Sequence, residues 1–349
     1  MAAFKYDFFP DKIDVVMGKP AQRGAHVPFT ITAPGVGHMT VTPHSIEYSI
    51  MVPEKYLRVH LVLDAHTPWS PSSPLSGPMG GILHLSRLLP LNWHVRSTRS
   101  RATYAIEHGR GLVASKVYGE GRAHVEKNWG RSFPCGWTWA QAFSDSDSDT
   151  RKGGGRADPW GLNGEFGKTA KRRDGKASDG DGDSERTLCL AGGKAFLGFH
   201  AYLVGYRSPA CPQWDFRPPY ALALGHLAPF LCVRHDSGEL ELRVSSWRRR
   251  LNLVIEATPE SFMEMAAPLR GGHEPGFAHE SFRAKVRVTA SERRWPWPGA
   301  KWTVVEECVL GQVATGPGVQ CGALEFGGSF YQKLDACTPL VESEGTVQR

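Results

Sequence analysis

Apolar and polar positions along this chain alternate with a period of two over most of its length, the signature of half-buried strands. Ser45 to Met51 and Tyr56 to Leu63 read as two strands across a Pro53-Glu54-Lys55 turn, with Leu57, Val59, Leu61 and Leu63 on one face. Residues 93–99 and 101–107 alternate again. In 121–129, Ala123, Val125, Lys127 and Trp129 point one way and His124, Glu126 and Asn128 the other. After the turn-rich link from Gly130 to Gly136, Trp137, Trp139 and Gln141 share one side of the next strand, so 121–143 predicts a hairpin. Phe230 to Arg234 and Glu239 to Val244 flank an Asp236-Ser237-Gly238 turn. Ala195 to Tyr206 is a strongly apolar strand, and further strands are expected at 251–257, 282–290, 302–310 and 320–326. Helical spacing is confined to Pro259 to Met265, and Ile82 to Pro90 fits a short helix or an apolar lid. Residues 1–40, broken by Pro and Gly, give an incomplete first layer.

Composition agrees with this pattern. The 39 Gly and 25 Pro in 349 residues favour many turns and short strands over long helices. The expected fold is all-β, either two antiparallel barrels in tandem or one large double-layered antiparallel sheet. From Ser144 the sequence turns to interleaved charges and glycine, almost free of aliphatic residues. Such a segment buries too little apolar surface to offset chain entropy, so 144–187 is expected to be a disordered insertion. It separates a first β half, 1–143, from a second, 188–335, with a flexible tail at 336–349.

A formal charge of +6 is modest for this length, and outside Arg248-Arg249-Arg250 and Lys171-Arg172-Arg173 the basic residues are scattered, which argues against nucleic acid as a partner. Seven cysteines, odd in number and without a C-x-x-C pair, point to free thiols in a reduced compartment. No signal or transit peptide is evident at the N-terminus, and no apolar run approaches the ~18 residues that span a bilayer. An intracellular soluble protein is expected, with peripheral lipid contact left open. The oligomeric state is not readable.

Three chemical motifs fail on spacing. Gly167-Lys168-Thr169 ends like a phosphate loop, but Leu162 stands where the first glycine belongs. Asp179, Asp181 and Asp183 start like a calcium loop, but Ser184 replaces the turn glycine and Leu190 the bidentate glutamate. His124-Val125-Glu126 followed by Pro134-Cys135 lacks the second cysteine of a zinc deaminase, since Thr138 holds that place. Neither a metal nor a cofactor is therefore expected.

What remains is a crowding of Trp93, Trp129, Trp137 and Trp139 with His94, Glu126, Lys127, Asn128 and Gln141. An apolar wall with a few polar handles is the make-up of a small-molecule pocket. The bland alternative has the indoles filling a core and the charges solvated at the surface.

At these residues the chain resembles the tocopherol cyclase family. The similarity is carried by Glu126-Lys127-Asn128-Trp129-Gly130, by Phe133-Pro134 and by Trp137-Thr138-Trp139-Ala140-Gln141. Weaker likeness extends over 90–97 and Ala323 to Gly328. The family's F-E-G-W-Y motif has no match, Ser45-Ile46-Glu47-Tyr48 being at best a remnant. The resemblance implies lipocalin-like, calycin-type barrels and a cyclase that closes a chromanol ring on a hydrophobic prenylated quinol or a related polyketide or terpenoid. Such chemistry protonates a trisubstituted alkene while a phenol oxygen attacks the tertiary cation. Glu126 and His94 are the candidate acids, with Asn128 beside them; Trp93, Lys127, Trp129, Trp137, Trp139 and Gln141 are the candidate substrate contacts. The alternatives are a barrel that binds a hydrophobic molecule without changing it, and one that guides a pericyclic closure by shape.

Overall fold

The computed structural model describes residues 8–20, 26–73, 76–89, 91–109, 115–131, 133–144, 185–194, 199–224, 230–236, 238–269, 272–297, 299–311 and 321–330. The insertion expected at 144–187, apart from its ends, and the tail expected at 336–349 lie outside the described residues. The described chain is all-β and antiparallel, and its helical pieces are short 3-10 turns such as Pro53–Lys55 and Gly80–Leu85. It falls into two compact units. Described residues up to 73 together with 95–126 make the first, and 76–94 with those from 127 onward make the second.

In the first unit the strands β1 (Asp14–Met17), β2 (Phe29–Ala33), β3 (Gly37–Val41), β4 (Ile46–Val52), β5 (Leu57–Thr67), β6 (Leu91–His108) and β7 (Ser115–Gly130) lie in chain order across one seven-stranded sheet. The two alternating runs at 93–99 and 101–107 are one strand. Register stacks like with like: Val41, Ile46, Leu63 and Ala102 form one cross-strand row, and Met39, Tyr48, Leu61 and Tyr104 the next. All of these except Tyr104, with Phe29, Ala123 and Val125, make the core of the unit. The sequence alternation over 121–129 thus places its odd positions inward at Ala123 and Val125.

The second unit contains β8 (Gly136–Phe143), β9 (Thr187–Lys194), β10 (Phe199–Arg207), β11 (Trp214–Phe216), β12 (Leu222–Leu224), β13 (Leu231–Asp236), β14 (Glu239–Ser245), β15 (Arg249–Glu256), β16 (Met263–Leu269), β17 (Gly272–Glu292), β18 (Thr303–Leu310) and β19 (Gly322–Gly328). The order is β11-β10-β9-β8-β19-β17-β15-β14-β13, with β12 on β10 and β16 and β18 on β17. The long strand β17 serves two sheet segments. Its first half pairs β16 and β19, its second half pairs β15 and β18, and the register slips between Ser281 and Ala284. Side chains from both segments fill one core, among them Leu188, Leu190, Leu240, Leu242, Leu251, Leu253, Trp214 and Phe326. Each such buried aliphatic side chain contributes about 1.5–3 kcal/mol relative to exposure.

Three expectations are corrected here. The hairpin predicted over 121–143 does not form, because the link from Gly130 to Gly136 carries the chain out of the seven-stranded sheet and β8 pairs with β9 and β19 instead. The helical aspect of Pro259 to Met265 reduces to a 3-10 turn, Pro259–Ser261, since from Met263 the backbone is taken up by β17 as the strand β16. Free thiols are found at Cys189, Cys211, Cys232, Cys308 and Cys321, but Cys135 is disulfide-bonded.

Candidate functional site

The strand β8 is two-faced. Ala140 and Ala142 are buried in the core of the second unit, and Thr138 reaches the Tyr202 hydroxyl at 3.3 Å on the same side. Alternation then puts Trp137, Trp139 and Gln141 together on the opposite face, as their spacing predicts. Glycine makes room for the first indole. Trp137 stands between Gly193 and Gly327 in register, and a Cβ on Gly327 would lie 2.1 Å from its ring. Phe133 at 5.1 Å and Phe277, stacked at 5.8 Å, close in on the same ring.

Register extends this face across six strands. Met263, Glu280, Glu325, Trp139, Ala191 and Leu203 are successive partners on β16, β17, β19, β8, β9 and β10. One row on, the sequence is Met265, Ala278, Gly327, Trp137, Gly193 and Ala201. On the other side run Ala323, Gln141, Cys189, Gly205 and Asp215. Directly opposed residues in an antiparallel pair carry their Cβ atoms about 4.5–5.5 Å apart on the same face. The result is two carboxylates, Glu280 and Glu325, next to two indoles on a floor of small residues. Glu280 is 8 % exposed. Glu325 accepts a hydrogen bond from the Trp137 indole N–H.

On the same face the Gln141 Oε1 is buried, with no hydrogen-bond partner among the described residues. A buried carbonyl oxygen left without a donor costs about 1–3 kcal/mol. At the far edge Asp215 holds Arg207 at 2.7 Å and Arg217 at 2.9 Å. Arg217 in turn donates to the carbonyls of Pro78 and Gly77, which fastens the 76–80 loop to this edge of the unit.

Neither glutamate was picked out from sequence. Glu325 carried a signal, as the lone charge within Ala323-Leu324-Glu325-Phe326-Gly327-Gly328. Glu280, within Phe277-Ala278-His279-Glu280-Ser281, carried none, because only its pairing with β19 gives it a meaning.

The other expected site residues are placed as follows. Glu126, in the first unit, takes a hydrogen bond at 2.8 Å from His124 Nε2, and its side chain is largely buried. The histidine two residues away on the same face of the strand thus partners it. Lys127, Asn128 and Trp129 are exposed. Trp93 is buried, its backbone N–H directed at the Met79 sulfur at 3.3 Å, and the His94 ring lies against Gly77. Glu126 therefore groups with the first unit, and Trp137, Trp139 and Gln141 with the second.

The first unit holds a separate polar cluster. His66 Nδ1 and Ser100 Oγ are 2.8 Å apart, Ser100 donates to Ser97 at 2.9 Å, and Arg96 donates to the Thr42 carbonyl at 2.7 Å. Burial, reinforced by the Arg96 charge, holds His66 and His26 below the usual histidine value, and burial lifts the Tyr48 hydroxyl above its own. Asp64 is held low chiefly by its hydrogen bonds from Arg101, at 2.8 and 2.7 Å. No group of three or more metal-ligating side chains occurs among the described residues. No helix among them is long and apolar enough to cross a membrane.

No family model matches the sequence, and no curated protein does. Among solved structures, the crystal structure of CghA with Sch210972 is similar with a TM-score of 0.42 and 9 % sequence identity, over 89 % of this chain and 72 % of that chain.

Proposed function

We propose that the chain closes a ring within a hydrophobic small molecule on the β8–β19–β17 face of the second unit, in line with its resemblance to the tocopherol cyclase family. The substrate class is a prenylated quinol or a related polyketide or terpenoid. The observation that carries this is the cross-strand placement of Glu280 and Glu325 beside Trp139, with Gln141 one row away on the same face.

In this reading Glu280 delivers a proton to the trisubstituted alkene and the indole faces of Trp137 and Trp139 steady the tertiary cation. Gln141 Oε1 accepts the phenol O–H and orients the oxygen for attack. As the carbon–oxygen bond forms, the phenol proton passes to the Glu325 carboxylate, and proton exchange between the two glutamates resets the pair. One proton enters and one leaves, so the reaction is an isomerisation and needs no cofactor.

A second reading is supported by the hydrogen bond that Glu325 already receives from Trp137. If its task is to fix the indole, the face acts by shape, binding a hydrophobic molecule or guiding a pericyclic closure. The deciding experiment incubates the protein with a prenylated hydroquinone and compares wild type with Glu280→Gln and Glu126→Gln. The acid mechanism predicts product formation reduced by about 10²–10⁴-fold in Glu280→Gln with ligand quenching of Trp fluorescence kept. Loss in Glu126→Gln alone returns the acid role to Glu126. Quenching without turnover in wild type leaves the binding reading.

A further inference from the structure

Two turns lie side by side at one end of the second unit. The first joins β14 to β15 and carries Trp247, Arg248 and Arg249. The second joins β17 to β18 and carries Arg293, Arg294, Trp295, Trp297 and Lys301. Arg249 pairs Glu292 in the ladder, so neighbouring strands bring the turns together. Arg293 locks them: its backbone N–H donates to the Arg248 carbonyl at 3.0 Å, its Nε to the Trp247 carbonyl at 2.6 Å, and its guanidinium to the carbonyls of Pro296 and Trp297 at 2.9 and 3.1 Å. Arg293 and Arg250 also lie over the Trp302 ring, at 4.6 and 4.1 Å.

The outward side of this tip is unusual for a protein surface. Trp247, Trp295 and Trp297 are 50 %, 48 % and 54 % exposed, and the last two stack on each other at 4.9 Å. Around them stand the exposed Arg248, Arg249, Arg294 and Lys301, with Glu292 at 3.5 Å from Arg249. Large exposed apolar groups on a rigid support mark an interaction site. Tryptophan prefers the headgroup level of a bilayer, where its ring is half wet, and arginine and lysine pair with anionic headgroups. Both features occur here within two adjoining turns. Nucleic acid fits less well, because exposed indoles at the headgroup level suit a bilayer surface, and along the strands beyond the tip the exposed Arg234 and Arg287 are each paired to a carboxylate, Glu241 and Glu256.

We propose that this Trp- and Arg-bearing tip docks on the surface of a membrane that contains anionic lipid. The indoles enter the headgroup layer and the basic side chains meet the lipid phosphates and carboxylates. The attachment is peripheral, made by side chains of two turns without any spanning element.

The test is co-sedimentation of the full chain with vesicles of phosphatidylcholine alone or with 30 % phosphatidylserine, at low and physiological salt. Binding is expected to the anionic vesicles, to weaken with salt, and to be weak or absent on phosphatidylcholine. Removing basic charges in Arg248→Gln and Arg294→Gln should each lower the partition coefficient by about fivefold. Trp295→Ala with Trp297→Ala should lower it by at least tenfold and reduce quenching by brominated lipid, with the unfolding temperature unchanged because these side chains are exposed. Equal binding to both vesicle types, binding unaffected by the tryptophan variant, or tip-dependent binding to a single-stranded oligonucleotide but not to vesicles would overturn the proposal.

Discussion

The ring of Trp137 occupies the space that a side chain on Gly327 would need. The indole carbons lie 2.1 Å from the position of a Cβ there, and Gly327 is the ladder partner of Trp137 on the neighbouring strand. Gly327→Ala must therefore push the ring out of its slot between Phe133 and Phe277 and away from Glu325. Overpacking of this kind costs about 1–3 kcal/mol. Urea unfolding should show that loss, and near-ultraviolet circular dichroism should show a changed indole environment; a variant with both unchanged would mean that the ring does not sit on Gly327.

Gln141→Leu is expected to act in opposite directions on stability and on binding. It removes an acceptor that is buried without a partner, so the free protein should be as stable as wild type or up to about 1–3 kcal/mol more so. A ligand that presents a hydroxyl to that acceptor should bind more weakly, while its methyl ether should bind equally to both forms. Paired titrations with quinol and ether check this. Equal loss for both ligands would point to shape and not to the hydrogen bond.

Glu306 is a fastening point between strands. It takes Arg186 Nε at 2.7 Å, the Tyr206 hydroxyl at 2.8 Å and the Ser208 hydroxyl at 2.5 Å. Burial works to raise its carboxyl, but the hydrogen bonds from Ser208, Arg186 and Tyr206 prevail and hold it below the usual value. Glu306→Ala leaves three donors short of an acceptor and should destabilise the protein by about 1–3 kcal/mol. Glu306→Gln keeps one acceptor oxygen and should lose less. Chemical denaturation of the two variants gives the comparison, and equal values would show that charge and not acceptor count matters.

Acid should weaken the fold in two stages. His26, His66, His200 and His279 are all held below the ordinary value of 6.5, in each case first by burial. Below that pH the unfolded chain binds protons that the folded chain does not, so stability is full above about pH 6.5 and declines as pH falls past it. Asp64 and Glu306 are held below their ordinary values of 3.8 and 4.5, so their contributions are present above those values and are lost as pH falls further. Melting temperatures from pH 8 to pH 3 should show the first decline starting near neutrality. His66→Phe should shrink it, and a flat profile down to pH 5 would exclude the histidine contribution.

Periodicity made much of this legible. It assigned Trp137, Trp139 and Gln141 to one face of a strand, set Ala123 and Val125 apart from His124 and Glu126, and found the hairpin across Asp236-Ser237-Gly238. Alternation is a local property, set by the strand backbone itself. Pairing between distant strands is not. Nothing near Trp139 announces that Glu325 lies opposite it, nor that Glu280 lies beyond, since that register depends on the packing of the whole second unit. The failed hairpin has the same origin: Gly130 to Gly136 reads as a turn, and a turn does not say which sheet the chain enters next. Pro259 to Met265 has helical spacing over one turn, and the neighbouring β17 outweighed that weak preference by supplying a ladder of partners.

The strand β17 also bears on how the second unit comes into being. Four strands, β15, β16, β18 and β19, hang on its 21 residues, and β19 reaches it only after the chain has run past β18. The segment that β17 shares with β15 and β18 can close once β18 has emerged, but the segment that carries Trp137, Trp139 and Gln141 stays incomplete on a nascent chain until β19 arrives to join β8 to β17.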